Sequence, residues 1–183
     1  MDQLKIESLY KGIINEIEKN SSREGLIETP KRIAKSFDKI FGGYNKKPKD
    51  LVTVFDGENY DEMIICKDID FYSTCEHHMQ PFFGKVSIGY IPRKKIIGLS
   101  KLPRLVEVFS RRLQNQERLT MQIAETLYEI INPKGVGVVI EGKHLCMMAR
   151  GVEKQNASMT TSSFKGLFKK DSKTRSEFLR LIE

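Results

Sequence analysis

The chain has 183 residues, 39% hydrophobic and 30% charged, a balance ordinary for a globular protein with one domain and a core of its own. No apolar run approaches the ~18 residues that span a bilayer, and the opening Met1-Asp2-Gln3-Leu4-Lys5-Ile6-Glu7 holds no apolar signal core, so a cytoplasmic protein is expected. A net charge of +7 suits an anionic partner or simply a solvated surface, and 3 cysteines, an odd number, favour metal or catalytic use over disulfides in a reducing compartment.

Leu4, Ile6, Leu9, Ile13, Ile14 and Ile17 recur at helical spacing and predict an amphipathic first helix. Thr29-Pro30 reads as the start of a second helix, with Thr as cap and Pro in the first turn. Ile33, Phe37, Ile40 and Phe41 mark its apolar face, and Gly42-Gly43 is expected to stop it. Residues 44–49 read as a basic loop. Ile64, Ile65, Ile69 and Phe71 suggest a strand, and residues 82–91 alternate in twos up to Pro92. A helix pair follows: Leu102 to Leu113 behind a Ser100 cap, then Leu119 to Ile131 before Asn132-Pro133. Val136 to Ile140 and Leu145 to Arg150 read as strands, Ser158 to Ser163 as loop or edge, and a last helix begins near Asp171-Ser172. The sum is an α+β fold.

The rare residues cluster. His77, His78 and His144 are the 3 histidines of the chain, and all fall in two short segments, 73–78 and 143–146, with two of the cysteines. Core packing does not concentrate such residues. Cys75 and His78, on a tight turn, can reach one ion; His144 and Cys146, two apart on an expected strand, project from one face. Thiolate and imidazole are the ligands zinc favours. A structural zinc is closed by four protein ligands, whereas a catalytic zinc keeps a position for water. Five or six candidates stand here, counting Cys66, which follows Met63-Ile64-Ile65 and reads as core. A set of Cys75, His78 and Cys146 would leave the position open, with His77 and His144 nearby as acid and base. Gly137 to Lys143 has most of a Walker phosphate-loop spacing, but His144 stands where Ser or Thr is needed and Val138-Val139-Ile140 is strand, so that reading fails.

Residues 73–92, Ser-Thr-Cys-Glu-His-His-Met-Gln-Pro-Phe-Phe-Gly-Lys-Val-Ser-Ile-Gly-Tyr-Ile-Pro, resemble the signature of GTP cyclohydrolase I. So do Ile97-Gly98-Leu99-Ser100-Lys101, Gln114-Asn115-Gln116-Glu117-Arg118-Leu119 and the run His144 to Gly151. The resemblance extends from about Gly25 to Leu179. It implies a single domain over 1–183, with an N-terminal helical segment (1–50) and a T-fold, or tunnelling-fold, core (51–183) of antiparallel sheet and helix pair. It implies subunits packed into rings with active sites at their interfaces, two rings making a decamer. The implied reaction converts GTP and water to 7,8-dihydroneopterin triphosphate and formate with Zn2+, the first step of pterin and folate synthesis. Cys75, His78 and Cys146 match the zinc ligands, and His77 and His144 the proton-transfer histidines. Gln116 and Glu117 match the guanine-binding pair, and Ser100, Lys101, Arg104 and Arg150 the ribose and triphosphate contacts. Arg32 matches an arginine lent to the phosphates by a neighbouring subunit. The implied partners are GTP and further copies of the chain, with neither nucleic acid nor membrane.

The chemistry agrees with those types. Guanine offers two adjacent donors, N1–H and the 2-amino group, which one carboxylate accepts in parallel and adenine cannot supply. Glu117 fits that role, although outside this motif a surface acid paired with Arg118 would be the ordinary reading. Lys101, Arg104 and Arg150 suit a triphosphate. A related T-fold nitrile reductase would use a cysteine nucleophile and NADPH without Cys75-Glu76-His77-His78. A basic zinc-stabilised nucleic-acid module would need a closed site and aromatics interleaved with its lysines.

Overall fold

The computed structural model describes residues 1–183, which form two compact units, 1–42 and 43–183. In the first, α1 (Gln3–Ile17) starts at Asp2, whose carboxylate accepts from the Lys5 amide. It is followed by α2 (Glu24–Ile27) and α3 (Thr29–Ile40). The α1–α3 contact includes an edge-on Tyr10–Phe37 pair with ring centres 5.7 Å apart. Only part of the expected apolar stripe of α1 faces inward. Ile6, Tyr10 and Ile14 are half-buried, whereas Leu4, Leu9, Ile13 and Ile17 are exposed. Thr29 is the first residue of its helix and not a cap: its hydroxyl donates to the Gly25 carbonyl.

A 3₁₀ turn over Gly42–Asn45 leads into the second unit, followed by α4 (Pro48–Leu51) and β1 (Val54–Asp56). Neither Gly42 nor Gly43 is left-handed. Gly43 is needed for close approach, since a Cβ there would lie 2.8 Å from the Arg111 carbonyl oxygen. Then come β2 (Ile64–Cys75), β3 (Pro81–Ile91), β4 (Lys95–Ile97) and α5 (Lys101–Ser110). They are followed by β5 (Leu113–Gln114), α6 (Gln116–Ile131), β6 (Gly135–His144) and α7 (Leu145–Met148). β7 (Met159–Gly166), α8 (Leu167–Lys170) and α9 (Ser172–Ile182) complete the chain.

The main sheet has the order β5-β2-β3-β6-β7, antiparallel throughout except for the parallel β2–β5 pair. Side chains alternate across it. Val86, Ile88, Val136, Val138 and Ile140 pack beneath α5 and α6 with Leu105, Leu119, Ile123 and Leu127, all fully buried. The alternate positions Gly89 and Gly137 leave room on the other face for Phe168 and Phe178 of α8 and α9. No helix is long and apolar enough to cross a membrane. The architecture is a mixed α+β one.

Two local expectations change. Leu145 to Arg150 is no strand: β6 ends at His144 and the chain turns into α7. α5 ends at Ser110, short of Leu113, and Ser100 precedes it without a side-chain cap bond. The segment 158–163, expected as loop or edge, runs into the edge strand β7 (Met159–Gly166), so the edge alternative holds.

Candidate metal centre and active site

Register gathers the site at one end of the sheet. Thr74, next to the last residue of β2, pairs with Pro81; Phe82 pairs with His144; Cys75 pairs with Gln114. Between β2 and β3 the chain makes a tight turn. The Met79 amide donates to the Cys75 carbonyl and the Cys75 amide to the Gln80 carbonyl, both at 2.8 Å, with Met79 left-handed. That turn carries His77 and His78. The Cys75 sulfur lies 3.9 Å from His78 Nδ1. With Cys146 Sγ, these ligand atoms all lie within 4.8 Å of one another. Two sulfurs and one imidazole at this spacing suit the shell of a zinc ion, whose bonds run ~2.0–2.3 Å.

Cys146 meets Cys75 because the chain leaves β6 as a helical turn, not because it shares a strand face with His144. Burial, then the nearby Cys75 thiol, push the Cys146 thiol up. A divalent cation would reverse that balance by binding both sulfurs as thiolates. Cys66 lies elsewhere on β2, half-buried against the core, its thiol pushed up by burial.

The two other histidines differ. His77 is exposed, its Nε2 3.8 Å from Glu76 Oε1. His144 is half-buried and lies flat on Phe82, ring centres 4.7 Å apart and planes 4° from parallel. Its Nε2 is 2.9 Å from Gln116 Oε1. Burial holds the His144 imidazole below its ordinary pKa, opposed by the Glu117 charge.

The start of α6 adjoins this end. Asn115 caps it, accepting from the Arg118 amide at 2.8 Å. Gln116 is fully buried, and Glu117 is exposed in the first turn. Arg118 does not pair with Glu117. It reaches Glu76, between Cys75 and His77, and its Nε donates to Gln114 Oε1. Glu76 also accepts from Asn115 Nδ2 at 2.9 Å. The Arg118 hydrogen bond, helped by Asn115, holds the Glu76 carboxyl below the usual carboxylate range. Glu76, Asn115, Arg118 and Phe82 escaped the sequence reading. All four lie inside the motifs described above, but only the β2–β5 register shows that Glu76 and Arg118 meet.

Ser100 and Arg104 are exposed at the start of α5, and Lys101 is half-buried there. Arg150 is exposed, and its Nη1 donates to the Cys146 carbonyl at 3.1 Å, beside the metal group. Arg32 belongs to the first compact unit, exposed on α3, 3.4 Å from the Gly25 carbonyl.

The family model for GTP cyclohydrolase I matches residues 6–183. The chain belongs to that family. A GTP cyclohydrolase 1 of Wolinella succinogenes is 54% identical over 178 residues, covering 97% of this chain and 95% of that protein. One of Chlorobaculum tepidum is 56% identical over 179 residues, 97% of this chain and 78% of that protein. One of Helicobacter pylori is 51% identical over 179 residues, 97% of this chain and 99% of that protein. Among solved structures, the crystal structure of the archaeosine synthase QueF-Like in the apo form covers 57% of this chain and 93% of its own at 19% identity and a TM-score of 0.46. For a GTP cyclohydrolase I family member, the gathering of Cys75, His78 and Cys146 beside His77 and His144 sets the chemistry to be explained.

Proposed function

We propose that this chain is a zinc-dependent hydrolase that converts GTP and water to 7,8-dihydroneopterin triphosphate and formate. The observation that carries the reading is the Cys75–His78–Cys146 group, within 4.8 Å, in a chain of this family. Three protein ligands leave a fourth position for water or substrate. Zinc, when bound there, supplies Lewis acidity and water activated near neutral pH.

The chain's own residues do the rest. Opening the imidazole ring of guanine at C8 moves electrons onto ring nitrogens, so protons must be delivered beside the metal group. His77, exposed, and His144, stacked on Phe82, serve as the acid and base. Glu117, exposed and without a cationic partner in its own helix turn, accepts N1–H and the 2-amino group. Gln116, buried under His144, serves the same end of the site through that histidine. Lys101, Arg104 and Arg150, with the Ser100 hydroxyl, hold ribose and triphosphate. Arg32 is lent by a neighbouring copy.

Residues 1–183 act as one domain, an N-terminal helical segment (1–50) on a T-fold core (51–183), and copies assemble into rings, two rings to a decamer, with sites at their interfaces. Leu99, Met79 and Val152, each more than half exposed and each next to or near a proposed site residue, support a partner surface there. The protein works in the cytoplasm at the entry to pterin and folate synthesis. The test is formate release from GTP by zinc-loaded protein, with metal content measured on the same sample. Formate equal to GTP consumed is expected; GTP left intact by protein of full zinc content would overturn the proposal.

A further inference from the structure

Gln116 begins α6 with none of its surface exposed, and every polar atom of its side chain is engaged by protein. The direction of each bond follows from chemistry. Two backbone carbonyls, Met159 O at 2.8 Å and Ile140 O at 3.1 Å, face one atom of the amide. A carbonyl can only accept, so that atom is the NH₂ nitrogen and not the oxygen. Thr161 Oγ1 also lies 3.1 Å from that nitrogen, whose two N–H groups face the two carbonyls; Thr120 donates its hydroxyl proton to the Gln116 backbone carbonyl, and Thr161 can donate its own to Thr120 at 2.7 Å. The amide is thereby locked.

Its other end is then Oε1, which can only accept, and Oε1 faces His144 Nε2 at 2.9 Å. Gly142 clears the space, since a Cβ there would strike Gln116 Oε1. Phe82, stacked flat on the imidazole, fixes the ring plane.

We infer that Gln116 is a positioning residue that holds His144 with a proton on Nε2, so that Nδ1 is the nitrogen His144 has free to take and return a proton in the reaction. Gln116 then does not touch guanine itself. It has no donor left for a base, and its oxygen is committed to the histidine. The inference rests on the GTP reading for its effect on turnover, and on the side-chain geometry alone for the place of the proton.

Two measurements separate these. In ¹⁵N magic-angle-spinning spectra of zinc-loaded protein labelled in its 3 histidines, the His144 signals are those lost in His144→Asn. An unprotonated Nδ1 with a protonated Nε2 in the neutral ring is expected; a neutral ring with its proton on Nδ1 overturns the inference, whatever the protein does with GTP. In Gln116→Met, which keeps length and burial but loses the acceptor, kcat for formate release should fall about tenfold, the worth of one hydrogen bond, with KM for GTP within about twofold. A raised KM with kcat retained would mean that Gln116 contacts the base and would overturn the inference. If that variant fails to fold, the spectrum of the unmutated protein still decides. Formate release by unmutated protein tests the GTP reading separately.

Discussion

The two ends of the five-stranded sheet fill the space above their small residues differently. At the end where Ile91 pairs with Gly135, the gaps over Gly89 and Gly137 hold Phe168 and Phe178, wholly buried and edge to face at 5.4 Å. At the end where Phe82 pairs with His144, the gap over Gly142 holds the Gln116 amide, and beside it stand three histidines, two cysteines and the Glu76–Arg118 pair. One end buries hydrocarbon, which stabilises without direction. The other buries polar groups, each needing a partner at hydrogen-bond distance. Substitutions at the two ends should therefore fail in different ways: loss of fold at the first, loss of chemistry in a folded protein at the second.

The largest effect expected is at the metal group. Cys75→Ser, His78→Ala and Cys146→Ser should each lose most bound zinc and all turnover, whereas Cys66→Ala, on the same strand as Cys75, should keep both. Elemental analysis beside a formate assay reads this; full zinc in Cys146→Ser would mean another ligand set. Next, His77→Ala and His144→Ala should keep zinc and lose about 10²–10⁴ in kcat, the usual worth of a positioned acid or base. An emptied metal site in either would make that histidine a ligand.

The opposite end gives the contrast. Phe178→Ala removes a buried aromatic and should cost about 3–5 kcal/mol in denaturant unfolding, while kcat per folded molecule stays level. A kcat change without a stability change would erase the distinction between the ends. Back at the site, Glu117→Gln should fold and bind GTP more weakly by a few kcal/mol, since an amide faces guanine with a donor where an acceptor is needed. Inosine triphosphate, without the 2-amino group, should lose less. Equal losses in a titration would move guanine recognition elsewhere.

The smallest effect belongs to Asp171, which caps α9 by accepting from the Thr174 hydroxyl at 2.6 Å and the Thr174 amide at 2.8 Å. Those bonds, the hydroxyl first, hold its carboxyl below the ordinary value. A depressed carboxyl stabilises the fold at pH values above its unfolded pKa, and that contribution is lost as pH falls through the folded one. Asp171→Ala should therefore melt below the unmutated protein at neutral pH, with the gap narrowing below about pH 4. A gap constant with pH would remove the charge from the explanation.

Much of this was legible in the sequence where short-range rules govern. Cys75 and His78, three apart, are expected to reach one ion if they sit on a tight turn, and such a turn is there, closed by backbone bonds within six residues. The alternation of residues 82–91 forecast β3, and Asn132, left-handed, ends α6 before Pro133 as expected. What escaped depends on contacts across the sheet. Cys146 reaches Cys75 through a helical turn that the apolar run Leu145-Cys146-Met147-Met148 disguises as strand. Arg118 passes over its neighbour Glu117 for Glu76, 42 residues away in sequence. Gln116 owes its orientation to Met159 and Thr161, brought alongside by β7 pairing with β6. Residue type and spacing carry no trace of those partners.

X-ray absorption at the zinc edge of the loaded protein tests the central claim most directly. An open site held by Cys75, His78 and Cys146 predicts two sulfurs near about 2.3 Å and two lighter atoms near about 2.0–2.1 Å, one from imidazole and one from water. Loss of one sulfur in Cys146→Ser should follow wherever metal remains. Three sulfurs, or two imidazoles in a closed shell, would contradict the account, because no position would be left at which water or GTP could meet the metal.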